Sequence, residues 1–178
     1  MKVVFLDVDG ILTYSDYENE DTSNIDVDKV KLLKEICDST NAKVVISSSW
    51  RGSETYTPRF YHILISILMA HDIEVLGDAP YIEVEYENNV SQLIAETTLE
   101  DLPYLKIKYG TGRAAEIQKW ISEHDVDSFV ILDDEDWNWA DYGYDKYWIQ
   151  PTWFGDGGLK REYVDRAIAI LNGEVIYE

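Results

Sequence analysis

Apolar residues fall into two rhythms along this chain. Short apolar runs stand at Val3 to Leu6 with Val8 close behind, at Ala42 to Ser47, at Ile73 to Leu76 and at Ser128 to Leu132. Each is bounded by turn residues, which predicts short buried strands of a parallel sheet. Between them, apolar positions recur at three and four residues. Val30, Leu32, Leu33, Ile36 and Cys37 predict a helix from Asp26 or Asp28 to about Ser39, followed by a turn at Asn41. Tyr61, Leu64, Ile65 and Leu68 predict a second over 58–71, with Pro58 suited to its first turn. Ala114, Ile117, Trp120 and Ile121 mark a third from Gly112 to about His124, and Val164, Ala167, Ile168 and Leu171 a closing one over 160–171. A further strand is expected at 146–149. Strands alternating with helices predict an α/β fold with a doubly wound, mostly parallel, Rossmann-like sheet.

One stretch departs from this rhythm. Ile82, Val84 and Tyr86 alternate with Glu83, Glu85 and Glu87, and Leu105 and Ile107 alternate with Lys106 and Lys108. Two half-buried strands around a short helix at 90–95 predict a small α+β cap-like insertion over 81–112 within one domain spanning 1–178. Residues 14–24 are polar and acidic and read as an exposed loop over the end of the first strand.

Composition narrows the possibilities. At 178 residues and 46% hydrophobic, the chain suits one domain with a real core. Its formal net charge is −20, from 35 Asp and Glu against 15 Lys and Arg. Such a field repels polyanions and argues against broad binding of a nucleic-acid polymer. It leaves room for a small phosphorylated substrate held at a local site. Cys37 is the only cysteine, which excludes an intrachain disulfide and a Cys-based zinc cage. The longest apolar run, Ile63 to Ala70, is too short to span a bilayer. No charged-then-apolar leader precedes the first strand. The expectation is a cytoplasmic protein with no membrane partner. Thirteen Tyr and six Trp are many for this length, and they suit either packing or the lining of a pocket.

Candidate chemistry sits at the strand ends. The first strand runs into Asp7, Asp9 and Gly10, the second into Ser47, Ser48, Ser49, Trp50 and Arg51, and the fourth into Asp133, Asp134 and Asp136. In a doubly wound sheet the carboxyl ends of neighbouring strands converge on one crevice. Carboxylates gathered there either share protons or bind a hard cation, and an all-oxygen set with open positions suits Mg²⁺. A bound cation attracts phosphate. Hydroxyls and a Lys or Arg can hold its oxygens, one carboxylate can attack phosphorus, and a neighbour can protonate the leaving oxygen.

FLDVDG, VVISSSW, a basic residue opening a helix, and ILDD, in that order, resemble the haloacid dehalogenase (HAD) superfamily over nearly the whole chain. SSSWR, RAAEIQKW and ILDDEDW look most like its small domains associated with RNA-repair and phage systems. The resemblance implies a Mg²⁺-dependent phosphatase acting through an aspartyl-phosphate. Asp7 matches the nucleophile and Asp9 the general acid/base, whose backbone carbonyl also contacts the metal. Ser47 or Ser48 matches the phosphate-binding hydroxyl and Arg113 the basic position, with Lys119 a poorer fit. Asp133 and Asp134 match the remaining metal position, with Asp134 favoured as the direct ligand. Ile11 stands where the family commonly carries Thr.

Several positions stay open on sequence alone. Arg51 either binds phosphate or pairs with one of many carboxylates. Trp50 either packs or stacks on a ligand, and Asp136 supports the metal site from behind. The expected substrate is a nucleotide-type small phosphomonoester. The alternatives are a 3′- or 5′-terminal phosphate of a nucleic acid, and non-catalytic binding of a phosphorylated ligand. Oligomeric state is not legible in the sequence.

Overall fold

Residues 1–14, 24–51, 58–82 and 112–174 are described by a computed structural model. Five parallel strands form one sheet in the order β3-β2-β1-β4-β5. They are β1 (Lys2–Leu6), β2 (Lys43–Ile46), β3 (Val75–Asp78), β4 (Ser128–Leu132) and β5 (Trp148–Ile149). Among the described residues four α-helices accompany them: α1 (Val27–Thr40), α2 (Pro58–Ala70), α3 (Arg113–Glu123) and α4 (Arg161–Leu171). This is the doubly wound α/β architecture that the alternation of patterns predicts.

β1 lies at the centre because its side chains are apolar on both faces. Val4 and Leu6 point into one core with Leu33, Ile36, Leu64, Leu68, Val164 and Ala167, which places α1, α2 and α4 on that face. Val3 and Phe5 point into the other, with Ala114, Ile117 and Trp120 of α3 and the buried Trp139. Phe5 meets Trp120 edge to face at 5.5 Å, the geometry favoured by ring quadrupoles.

Topology fixes where a site can form. The chain proceeds from β1 to β2 to β3 on one side, then crosses to β4 and β5 on the other. The order therefore reverses between β1 and β4, and a crevice opens beyond their carboxyl ends. The register is in step there: Leu6 pairs with Ile46 on one side and with Leu132 on the other. The residues following all three strands thus emerge at one level.

Local signals explain the boundaries. The Asp26 side chain accepts from the Asp28 N–H at 2.8 Å and caps α1, and Asn41 ends it in the left-handed region at φ 58°. Two expected strands are shifted. β3 begins at Val75 because Ile73 is spent in the turn after α2, where its N–H donates to Leu68 O at 3.0 Å. β5 holds only Trp148 and Ile149, since Lys146 lies in the short 3-10 turn Asp145–Tyr147. The expected flap, with strands near 82–86 and 105–108 and a helix at 90–95, falls almost wholly outside the described residues. Among the described residues, no helix is long and apolar enough to cross a membrane.

Candidate active site

Three backbone bonds set the floor of the crevice. Asp7 N–H donates to Leu132 O at 2.9 Å, Ser47 N–H to Leu6 O at 2.8 Å and Asp133 N–H to Ile149 O at 3.3 Å. They extend the sheet by one residue and aim the side chains that follow. One oxygen from each of Asp7, Asp133 and Asp134 lies within 4.8 Å of the others. Asp7 and Asp133 are buried and Asp134 is half-buried.

Arg113, at the start of α3, partly offsets this concentration of charge. Its Nη1 stands 3.0 Å from Asp7 Oδ1 and 3.4 Å from Asp133 Oδ2, and it also donates to the Ser47 carbonyl. Its guanidinium lies 5.2 Å from the centre of the Trp137 ring. Burial works against the charged form of Arg113, but the carboxylates of Asp7 and Asp133 outweigh it and raise its pKa.

One cation does not neutralise three carboxylates. Asp133 is pushed up to about 8, first by burial and then by the charge of Asp7, against Arg113 and the Glu135 N–H. Asp134 is pushed up to about 6, again by burial first and Asp7 second. The Asp7 Oδ1 atom has no well-aligned hydrogen-bond donor among the described residues. Hard oxygen donors in excess of positive charge, with Asp7 Oδ1 met only by the Arg113 guanidinium among the described residues, fit a divalent cation.

The two residues of the fourth-strand pair are held differently. Asp133 Oδ1 accepts from Glu135 N at 3.0 Å and from Trp137 Nε1 at 3.2 Å, and its carbonyl accepts from Trp148 Nε1 at 2.7 Å. Asp134 faces the cleft, with its carbonyl accepting from Gln150 Nε2 at 3.0 Å. Its side chain lies directly against Gly10, which adopts φ +73°. Asp136 accepts from the N–H groups of Asn138 and Trp139, which shapes the turn, and it stands outside the carboxylate cluster.

Asp9 lines the same cleft and both its oxygens are engaged. Thr13 Oγ1 donates to Oδ1 at 3.0 Å and Trp50 Nε1 to Oδ2 at 2.9 Å. Burial raises the Asp9 pKa, while these two bonds pull it back. Trp50 is also packed, 7% exposed, with its ring 5.1 Å from that of Phe60.

The serines and Arg51 separate. Ser47 Oγ is buried and has no partner among the described residues. Ser48 is fully buried and its Oγ accepts the Trp50 N–H at 3.3 Å, while Ser49 is the serine that lines the cleft. Arg51 is 4% exposed and its Nη2 stands 2.7 Å from Glu116 Oε2 on α3. Its guanidinium also lies 3.9 Å from the centre of the Tyr81 ring. Of the two sequence alternatives for Arg51, the structure displays the carboxylate pair. Ser47, Ser48 and Arg51 are not among the residues that line the cleft.

The cleft measures about 920 Å³. Its lining combines the charged groups Asp7, Asp9, Arg113, Asp134 and Glu135 with the apolar Trp137, Pro151, Trp153 and Phe154. The aromatic set from 137 to 153 therefore divides: Trp139 is fully buried core, Trp148 braces Asp133, and Trp137 and Trp153 face the cleft. Sequence patterns held no sign of Glu116 or the Trp50 N–H as partners, because each acts on a residue distant in sequence. Thr13 acts on Asp9 only four residues away, through a local turn that no periodicity marks.

Comparison with known proteins agrees with this architecture. A family model described as the HAD domain in Swiss Army Knife RNA repair proteins matches residues 3–164. Neither the curated proteins nor the solved structures include a significant match to the chain.

Proposed function

The chain belongs to the family of HAD domains found in Swiss Army Knife RNA repair proteins, and from that membership we propose that it is a metal-dependent phosphomonoesterase working through an aspartyl-phosphate on Asp7. Membership supports phosphatase-type hydrolase activity, and HAD domains generally use a divalent metal. One observation carries the finer proposal. Asp7, Asp133 and Asp134 meet within 4.8 Å at the switch point of the sheet.

Asp7, Asp133 and Asp134 would hold Mg²⁺, which would supply charge neutralisation for the phosphoryl oxygens. Arg113 and the unpartnered Ser47 hydroxyl orient those oxygens, with Ser49 at the cleft edge. The Asp7 carboxylate attacks phosphorus, and the bond to the leaving oxygen breaks as Asp9 protonates that oxygen. Water then attacks the phosphoryl group and passes a proton to Asp9, and inorganic phosphate departs with the Asp7 carboxylate restored. Burial of Asp9 suits it to both duties, because it favours the protonated form without abolishing the basic one.

The proposed substrate is a nucleotide-type small phosphomonoester, supported by the volume of the cleft and the net charge of −20. A second reading, a terminal phosphate on a nucleic acid, is supported by the description of the family. The two differ in salt dependence, since a polymer substrate brings counterion release and a steep fall in rate with salt. Phosphate release should be screened over nucleotides, sugar phosphates and end-phosphorylated oligonucleotides, with Mg²⁺ and with chelator. Metal-dependent release is expected. Stoichiometric binding without release from any substrate would sink the enzymatic proposal and leave a phosphate-binding module.

A further inference from the structure

Part of the cleft lining comes from a closed and well-anchored loop that follows β5. Thr152 O accepts from Gly158 N at 2.9 Å, which shuts the loop on itself. Leu159 N–H donates to Ile11 O at 2.8 Å, which ties its base to the segment that follows Asp9. There is no room for side chains at the closing glycines. A Cβ on Gly157 would lie 2.3 Å from Thr152 O, and one on Gly158, at φ +75°, would lie 3.0 Å from Ile11 O. Construction this tight fixes the tip of the loop relative to Asp7 and Asp9. The tip carries Trp153, half-buried, and Phe154, 57% exposed, and both line the cleft.

Both side chains place large aromatic surface in a cleft otherwise lined largely by charged and polar groups. They suit a planar, weakly polar group, and bases stack on such rings whatever their hydrogen-bonding edge. We propose that Trp153 and Phe154 form a base-stacking subsite, so that the leaving group of the phosphomonoester is a nucleoside. The proposal rests on the phosphomonoesterase function above and adds the residues that select its substrate. A free mononucleotide and the last nucleotide of a strand share this chemistry. The acidic surroundings favour the mononucleotide: Glu135 lines the cleft, Asp156 on the same loop has a 91% exposed side chain, and the net charge is −20. Each further phosphate of a strand would enter a repulsive field.

The test compares kcat/KM for nucleoside 5′- and 3′-monophosphates, ribose 5-phosphate and a short oligonucleotide with a terminal phosphate. The proteins are wild type, Trp153→Ala, Trp153→Phe and Phe154→Ala. The mononucleotides should be preferred. Trp153→Ala should lose about tenfold or more on them, the range of a lost base–aromatic stack, and change little on ribose 5-phosphate. Trp153→Phe should retain most of the preference. Equal losses on ribose 5-phosphate and nucleotides, or no loss on nucleotides, would overturn the subsite, and a better rate on the oligonucleotide would overturn the mononucleotide assignment. Calorimetric binding of a nucleoside monophosphate and of ribose 5-phosphate to the Asp7→Asn protein separates this proposal from the hydrolytic one. Nucleotide binding that depends on Trp153, in a protein that hydrolyses nothing, would keep the subsite while the phosphatase proposal fell. Equal binding of the two ligands, or no binding, would overturn the subsite.

Discussion

A methyl group on Gly10 would stand 2.2 Å from the carboxylate carbon of Asp134 and 2.6 Å from its Cβ. The Asp134 side chain occupies the space that any other residue at position 10 would fill. Two strand ends far apart in sequence therefore share one volume, and the glycine after Asp9 is a packing requirement of the carboxylate cluster. Gly10→Ala should displace Asp134 from its root. The left-handed φ of +73° adds about 1–2 kcal/mol of strain for any side chain. Isothermal titration with Mg²⁺ should show at least an order-of-magnitude loss of affinity, about the effect of disturbing a ligand's support. Unchanged affinity would show that Asp134 holds no ion.

Arg51 and Glu116 form a buried pair, 4% and 8% exposed at their side chains, that joins the loop after β2 to α3. Glu116→Ala leaves the guanidinium buried without its carboxylate, a change that typically costs about 3–5 kcal/mol. Urea unfolding should reveal that loss. Replacing both residues, Arg51→Met with Glu116→Leu, should recover most of it, since well-packed apolar pairs often match buried ion pairs. Equal losses in the single and double variants would mean that packing, not charge, is what the pair supplies.

The carboxylate cluster makes the metal-free protein sensitive to alkali. Burial raises the pKa of Asp134 to about 6 and of Asp133 to about 8, from an ordinary 3.8. Between those values the folded state holds protons that the unfolded chain has released. Its stability is therefore favoured at low pH and falls as pH rises through this window. Melting temperatures in chelator should decline from about pH 5 to pH 8. Added Mg²⁺ should flatten the decline and release protons on binding. A flat profile in chelator would contradict the assigned shifts.

Trp50 pulls the Asp9 pKa down through its indole N–H at 2.9 Å, against the larger effect of burial. Trp50→Phe keeps a ring against Phe60 and deletes that donor. The Asp9 pKa should then rise further. Because Asp9 must carry a proton to the leaving oxygen, the alkaline limb of the kcat/KM profile should move to higher pH. The plateau below it should be retained. A profile that drops uniformly with no displaced limb would assign Trp50 a packing role only.

Much of this was legible before the structure. The buried strands ending in Asp7, Ser47 and Asp133 predicted both the parallel sheet and the crevice, because periodicity and strand-end chemistry are local signals. The weak points follow from nonlocal physics. Arg51 stood open between phosphate and a carboxylate because only tertiary packing brings Glu116 to it. Ser48 and Ser49 are neighbours in sequence, yet one is fully buried in a turn and the other faces the cleft, a difference set by loop geometry. The Trp and Tyr residues after Asp136 could not be sorted into core and cleft, since no simple period runs through them. Asp134 against Gly10 is likewise a contact between strands that no single segment records.

The account turns on Asp7 as the group that takes the phosphoryl. Acid-quenched single turnovers with a nucleoside monophosphate labelled at phosphorus would test this most directly, with peptide mapping of any label on the protein. Label should appear transiently on the peptide containing Asp7 and disappear as phosphate is released. Asp7→Asn should abolish it and lower turnover by on the order of a thousandfold or more. Turnover with no labelled protein at any time, or undiminished turnover in Asp7→Asn, would contradict it.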